Sequence, residues 1–119
     1  MSEKDSYISI RCSDGVHRVK SSSIEFVEAQ NKNIIFTMND GHTIRSNQPL
    51  YSYEEFLTEK DGFFKCHRSY IINLFYIDTF NTKEVTMRSG CIVPISRKYH
   101  KEFEEAYFTA YFGKAGGLR

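Results

Sequence analysis

The sequence contains no tryptophan, two prolines and three cysteines among 119 residues. Cys12, Cys66 and Cys91 are widely spaced and odd in number, and no C-x-x-C pair occurs. This pattern argues against a disulfide framework and a zinc site, and it favours three reduced thiols. The four histidines show no H-x-x-x-H or H-x-H spacing, so we expect no bound metal and no cofactor.

Long apolar runs are also absent. No segment approaches the roughly 20 consecutive apolar residues that span a bilayer. The N-terminal residues Met1–Asp5 are polar and lack the apolar region of a signal peptide. These absences predict a cytoplasmic protein that does not enter a membrane.

The chain length is sufficient for one compact core and is short for two. Hydrophobic residues make up 40% and charged residues 26%, as in ordinary globular proteins. We therefore expect one domain over residues 6–112, an N-terminal tail at 1–5 and a flexible, glycine-rich C-terminal tail at 113–119.

Turn signals recur at short intervals along the chain, at Ser13–Gly15, Asn39–Gly41, Asp61–Gly62 and Ser89–Gly90. Between them lie about ten short runs rich in aromatic and β-branched residues. Several runs alternate, so that Ile34, Phe36 and Met38 share one face. The pattern predicts a mainly β domain of short, mostly antiparallel strands.

Two helices are predicted between these strands. Apolar residues at helical spacing follow Pro49 in the segment 50–57, and Gly62 lies beyond its end. The second helix is predicted to start at Ser96 as N-cap. Its apolar face consists of Tyr99, Phe103, Ala106, Tyr107 and Ala110.

Basic residues are concentrated in the segment 60–101, where eight Lys/Arg oppose three Asp/Glu, a net charge of +5. The start of the second helix carries Arg97, Lys98, His100 and Lys101, and three glutamates follow. The helix dipole favours the reverse order by about 0.3–1 kcal/mol per charge. A helix start also offers free N–H groups to an anion. The arrangement indicates a reader of phosphates or base edges, although a simply solvated surface is the alternative.

The segment Phe63–Asn73 has apolar ends and a polar, basic centre at Lys65–Ser69. Two short strands joined by a basic loop fit this pattern. Arg68 has the chemistry to contact guanine or a phosphate. His67 suits a structural hydrogen bond or a phosphate contact, and Asn73 suits a backbone hydrogen bond in a turn.

These motifs resemble the LytTR family. Phe63–Asn73 matches its pattern F-x-R-x-H-R-S-x-x-V-N, with Lys65 for arginine and Ile72 for valine. Ile24–Ala29 is similar to its I-x-Y-I-E-A strand, and Pro94–Tyr99 to its P-V-S-R-R-Y motif. Residues 50–57 are similar to its short helix, so the resemblance covers residues 6–108, nearly the whole chain.

The resemblance implies a bacterial transcription regulator domain of a two-component response regulator, with an elongated fold of small sheets and two short helices. Such domains bind double-stranded DNA specifically by placing three loops in successive grooves. By position, the implied base contacts are Asn31, Asn33, Arg68 and Arg97. The expected phosphate contacts are Lys32, Lys65, His67, Ser69, Lys98 and Lys101. Arginine and asparagine are suited to guanine and adenine edges, whereas lysine is suited to phosphates.

The family also implies features beyond this chain. Its members usually carry a receiver or membrane sensor ahead of the DNA-binding domain, and none is recognisable in this sequence. We therefore expect either a fragment of a longer regulator or a stand-alone regulator. Relatives commonly bind paired direct repeats as two copies, which implies self-association on DNA.

The residues also leave other functions to consider beside DNA binding. Cys66 and His67 are adjacent, but neighbours in a strand point to opposite faces, so an enzyme is not expected. A protein-interaction or sensory module of the same fold is the alternative, with Tyr51, Tyr107 and Phe108 either docking a partner or covering the core. RNA binding lacks a supporting motif.

The surroundings of Cys66 suggest a reactive thiol. The neighbouring His67 and Arg68 favour a lowered pKa of the Cys66 thiol and therefore an oxidisable cysteine.

Overall fold

The fold is a mainly β domain in a computed structural model that describes residues 6–113. Most of both expected tails, residues 1–5 and 114–119, lies outside this range. The strands are β1 (Tyr7–Cys12), β2 (Gly15–Lys20), β3 (Ile24–Gln30), β4 (Asn33–Met38), β5 (Thr43–Ser46), β6 (Phe63–His67), β7 (Tyr70–Asn73), β8 (Ile77–Phe80), β9 (Glu84–Met87) and β10 (Ile92–Pro94). The α-helices are α1 (Tyr51–Glu54) and α2 (His100–Phe112). The predicted fold class is confirmed.

All strand pairs are antiparallel and form three sheets. The central sheet has the order β5-β4-β3-β7-β6, β1 and β2 form a separate hairpin, and β8, β9 and β10 form a third sheet. The principal extents of 48 × 35 × 24 Å agree with the expected elongated shape. Neither α-helix within residues 6–113 has the length and apolar character of a membrane span.

The central sheet is buried on both faces because a separate hydrophobic cluster packs against each. One face carries Val27 and Phe36 and packs against the β1–β2 hairpin and the α1 region. The other carries Phe26 and Ile72 and packs against the β8–β10 sheet and α2. Burying each of these large side chains contributes about 1.5–3 kcal/mol. The central sheet is therefore the rigid support for its connecting turns.

Both helices differ from the prediction at their ends. Only four residues of segment 50–57 are α-helical, and Phe56 is exposed although Leu50, Tyr53 and Leu57 are buried. The predicted N-cap Ser96 makes no capping side-chain bond, and Arg97–Tyr99 form a 3-10 turn before α2. The Ser96 backbone N–H donates to Cys66 O at 2.8 Å instead. This bond holds the segment before α2 against β6.

Asn73 forms the backbone hydrogen bonds that the sequence predicts for it. Its side-chain oxygen accepts from Phe75 N at 3.0 Å, and its Nδ2 donates to Ile24 O at 2.9 Å. The side chain is buried, so both bonds are shielded from water. Asn73 thereby connects the end of β7 to the start of β3.

Gly62 adopts a backbone conformation that favours glycine, with φ of +93°. A Cβ at this position would lie 2.6 Å from the Phe75 ring. Gly90 has a similar φ of +97°, but a Cβ there would meet no atom within 4 Å. An alanine at Gly90 would therefore meet backbone strain alone, whereas an alanine at Gly62 would meet backbone strain and steric overlap.

We expect Gly90→Ala to lower the free energy of unfolding by about 1–2 kcal/mol through strain alone. Gly62→Ala should lower it by about 1 kcal/mol more, at the low end of overpacking costs, because the 45% exposed Phe75 ring can shift. Urea denaturation of both variants measures the difference. Equal losses would contradict the predicted overlap.

Candidate nucleic-acid interface

The central sheet places two of the predicted DNA-binding loops side by side. Gln30 pairs with Asn33 across the β3–β4 turn, and Glu28 pairs with Tyr70 at the start of β7. Ala29 N donates to Ser69 O at 2.8 Å. Because β3 is the neighbour of both β4 and β7, the turns at 31–32 and 68–69 lie at the same end of the sheet.

The third predicted segment reaches the same end through β6. The hydrogen bond from Ser96 N to Cys66 O connects the residue before Arg97 to the end of β6. Arg97 and Lys98 are both exposed. We call this end of the central sheet the loop end, formed by residues 31–33, 67–69 and 96–98. All three predicted base-reading segments are brought together there.

The β3–β4 turn is a tight hairpin that suits its residues. Asn31 has φ of +52° and is the only non-glycine residue of the described chain with positive φ. Asparagine tolerates this conformation better than most residues, since its short polar side chain can bond locally. Asn31 and Lys32 are exposed, whereas Asn33 is half-buried and paired in the ladder. Asn31 and Lys32 are therefore the more accessible residues of this turn.

The β6–β7 turn is shaped by His67. Its Nδ1 accepts from Ser69 N at 3.1 Å, and its ring lies edge-on against Tyr70 at 5.6 Å between centroids. A β-bulge between Lys65 and His67 bends β6 just before the turn. Arg68 lies exposed between His67 and Ser69. The geometry thus gives His67 the structural role, while a phosphate contact through it stays a prediction.

Tyr70 supports this turn from β7. Burial, and then the charge and side-chain hydrogen bond of Glu28, raise the pKa of the Tyr70 hydroxyl above its ordinary value. The phenol therefore stays protonated at neutral pH and keeps its hydrogen for donation.

Lys65 is already paired with an acidic side chain of α1. Its Nζ is 2.8 Å from Glu54 Oε2, and the two side chains are 34% and 37% exposed. A partly exposed ion pair of this kind stabilises the fold by about 1 kcal/mol or less. Lys65 must leave Glu54 before it can bind a phosphate, so its predicted contact has the least support.

The start of α2 carries the remaining predicted cations. Lys98 Nζ lies 5.1 Å from the centre of the Tyr99 ring, and Lys101 is exposed in the first helical turn. His100 Nε2 is 3.7 Å from Glu104, whereas its buried Nδ1 has no hydrogen-bond partner among the described residues. The reversed charge order predicted from the sequence is therefore present beside the loop end.

Sequence reasoning missed a fourth segment near this site. Because Ile34 pairs with Ser46, the residues after β5 also lie at this end of the sheet. Asn47 is exposed there and accepts from Gln48 Nε2 at 3.1 Å. The signal was the polar run Ser46–Gln48 after a strand that forms a hairpin with β4. Asn47 is a further candidate contact.

The expectation of an oxidisable Cys66 is wrong. The side chain is fully buried in the cluster that contains Phe64, and burial raises the pKa of its thiol to about 12. Its Sγ donates to Pro94 O at 3.5 Å. Desolvation outweighs the neighbouring basic residues, because they lie outside the core and the thiol inside it. The buried thiol is also unsuited to act as a nucleophile.

The aromatic residues weighed as docking sites divide into two groups. Tyr107 covers the core, with its ring 4.8 Å from that of Phe80, and Phe108 is half-buried beside it. Tyr51 is 76% exposed. Core cover therefore accounts for Tyr107, whereas the Phe108 ring contacts the rings of Tyr107 and Phe112 within α2.

Thiol labelling tests the burial of Cys66. In the native chain, the exposed Cys91 should react rapidly and Cys66 only after denaturant is added. Mass spectrometry of peptides after timed labelling measures each rate, with Cys91→Ser as the control for the fast phase. Rapid native labelling of Cys66 would contradict its place in the core.

Comparisons with known proteins identify related DNA-binding domains. The model of the LytTr DNA-binding domain family matches residues 14–107. The LytTr DNA-binding domain of a Bacillus cereus response regulator superposes with a TM-score of 0.70 and 27% identity, over 85% of this chain and 95% of that one. The expectation that the chain is not an enzyme agrees with these matches.

Two regulators show the relationship in sequence. Sensory transduction protein LytR of Staphylococcus haemolyticus is 34% identical over 108 residues, 86% of this chain and 41% of that protein. Transcriptional regulatory protein BtsR of Escherichia coli is 24% identical over 96 residues, 76% of this chain and 38% of that protein. The chain thus spans about two fifths of the length of these curated relatives. It belongs to the LytTr DNA-binding domain family.

Proposed function

We propose that this domain binds double-stranded DNA sequence-specifically through the loop end, as the DNA-binding part of a transcription regulator. The observation that carries the proposal is the convergence of three exposed segments with basic or amide side chains at one end of a rigid sheet. Membership of a DNA-binding domain family supports the choice of ligand.

The side chains at the loop end divide into two chemical roles. Arg68 and Arg97 are exposed guanidinium groups, which can donate two parallel bonds to guanine O6 and N7. Asn31 and Asn33 carry amides that suit adenine N6 and N7, with Asn31 the more accessible. We assign base reading to these four residues, with Arg97 and Arg68 dominant.

We assign phosphate binding to exposed lysines and to the polar side chains on either side of Arg68. Lys32, Lys98 and Lys101 are exposed and suit phosphates as point charges. Ser69 and His67 border Arg68, so they can contact the adjacent phosphate or hold the turn in place. These contacts set the orientation of the domain on the duplex without specifying sequence.

We further propose that the domain acts in the cytoplasm within a longer response regulator. The curated relatives are more than twice as long as the matched segment, and their names describe sensory transduction and transcriptional regulation. Two copies on paired direct repeats would join two modest interfaces, so that self-association on DNA adds affinity through effective concentration.

Selection of bound sequences from random duplexes, with competitor DNA at physiological salt, tests the proposed function. We expect enrichment of a defined site, because base contacts discriminate by about 1–3 kcal/mol each. Failure to enrich any sequence would favour the alternative of a protein-interaction or sensory module with the same fold.

Arg97→Ala should weaken binding to the selected site by about 1–3 kcal/mol and relax the preference at one base pair. The reason is that a lost bidentate contact leaves the guanine edge unread. Fluorescence anisotropy with the selected duplex and single-base variants measures both effects. Unchanged specific affinity would refute the role of Arg97.

Lys98→Ala should weaken binding to all sequences alike and lower the salt slope by about one, since one phosphate contact is lost. Lys60→Ala is the matched control, because this exposed lysine precedes β6 at the opposite end of the strand. Equal losses for Lys98→Ala and Lys60→Ala would show a general charge effect rather than a contact at the loop end.

A further inference from the structure

A second cluster of reactive side chains lies on the β1–β2 hairpin. Cys12, Asp14 and His17 each offer a possible ligand atom, and these atoms lie within 4.8 Å of one another. His17 Nε2 is 3.2 Å from Asp14 Oδ1. The tight turn that pairs Cys12 with Gly15 brings the three residues together.

The facing β4–β5 hairpin contributes a second imidazole. His42 lines the same surface cavity of about 380 Å³ as Cys12, Asp14 and His17. Its Nδ1 is 2.6 Å from Asp40 Oδ1, and the same oxygen accepts from His42 N at 3.0 Å. With Nδ1 donating to a carboxylate, Nε2 keeps its lone pair. Histidines that bind metals are commonly held by a carboxylate in this way.

The ligand types favour a particular class of metal. A thiolate, imidazoles and a carboxylate together suit zinc and similar divalent transition metals, rather than magnesium or calcium. Metal–ligand bonds of about 2.0–2.3 Å place tetrahedral ligands about 3.5 Å apart. Separations of up to 4.8 Å therefore close with small side-chain rotations at this exposed hairpin.

We propose that Cys12, Asp14 and His17 bind a divalent transition metal of the zinc type, with His42 as the fourth ligand. The metal joins the β1–β2 hairpin to the β4–β5 hairpin and stabilises their packing. The sequence predicted no bound metal, because it contains no C-x-x-C pair and its histidines show no H-x-x-x-H or H-x-H spacing. The four residues come together only because the β1–β2 and β4–β5 hairpins face each other in the fold.

The site is separate from the loop end. Asp40 and His42 follow Met38 at one end of β4, whereas Asn33 begins the strand at the other. Removal of the metal ligands should therefore leave DNA binding by the loop end intact. Metal binding and DNA binding can consequently be tested separately.

Titration of the metal-free chain with Co²⁺ alone tests the site, because thiolate-bound cobalt absorbs in the near ultraviolet. We expect one Co²⁺ per chain, the thiolate absorption, and its loss when Zn²⁺ displaces cobalt. Cys12→Ser should abolish the absorption. Cys91→Ser, which removes the exposed cysteine outside the cluster, should leave it unchanged.

The histidines are tested by affinity, with His17→Gln and His42→Gln each expected to weaken Co²⁺ binding at least tenfold. The thermal midpoint of each metal-free variant should equal that of the parent, and Zn²⁺ should raise the parent's midpoint more than that of either variant. No thiolate absorption, its survival in Cys12→Ser, or full affinity in His17→Gln would overturn the site. Full affinity in His42→Gln would overturn the fourth ligand.

Discussion

The antiparallel pairing of β3 with β7 is the constraint on which the proposed interface depends. It connects residues more than forty positions apart, and its register places Glu28 opposite Tyr70. A shift of one residue would turn Val27 and Phe26 to the wrong faces, and each face has its own hydrophobic cluster. The two clusters therefore hold the register, and the register places the turns at 31–32 and 68–69 next to each other.

Rigidity of the sheet matters because base reading requires side chains that are already placed. The β6–β7 turn is held by a hydrogen bond within it and by the β3 backbone, so Arg68 projects from a supported position. Arg97 is similarly held through Ser96 and β6. Preorganised groups lose less entropy on binding, which leaves more of their interaction energy as affinity. In the proposed interface, loops would take the part that a recognition helix takes in many regulators.

Much of the fold was predictable because its signals are local. Alternation in β1 and β4, glycines at tight turns, and Asn73 after an apolar strand each reflect chemistry within a few residues. The details that failed depend on distant parts of the chain. The bond from Ser96 to Cys66 replaces the expected cap, and the core around Cys66 reverses the expected direction of its pKa. Neither the Ser96–Cys66 bond nor the burial of Cys66 can be predicted from the residues next to Ser96 or Cys66 in the sequence.

The candidate site divides in the same way. The residue types of Arg68 and Arg97 indicated DNA chemistry, but their convergence required the sheet order. The sequence did not predict Asn47 as a contact, because its position depends on the pairing of β5 with β4. The predicted phosphate contact of Lys65 is less well supported, because its side chain binds Glu54, eleven positions away in α1. Sequence thus predicts which groups are able to bind, whereas topology decides which of them can bind the same duplex.

The most direct measurement of the central claim is amide chemical-shift mapping while a selected duplex is added to the labelled domain. We expect the largest changes at residues 31–33, 67–69 and 96–98, with little change in the Ser13–Gly15 and Asn39–His42 turns. Largest changes at those two turns, or an even spread over the whole surface, would contradict it.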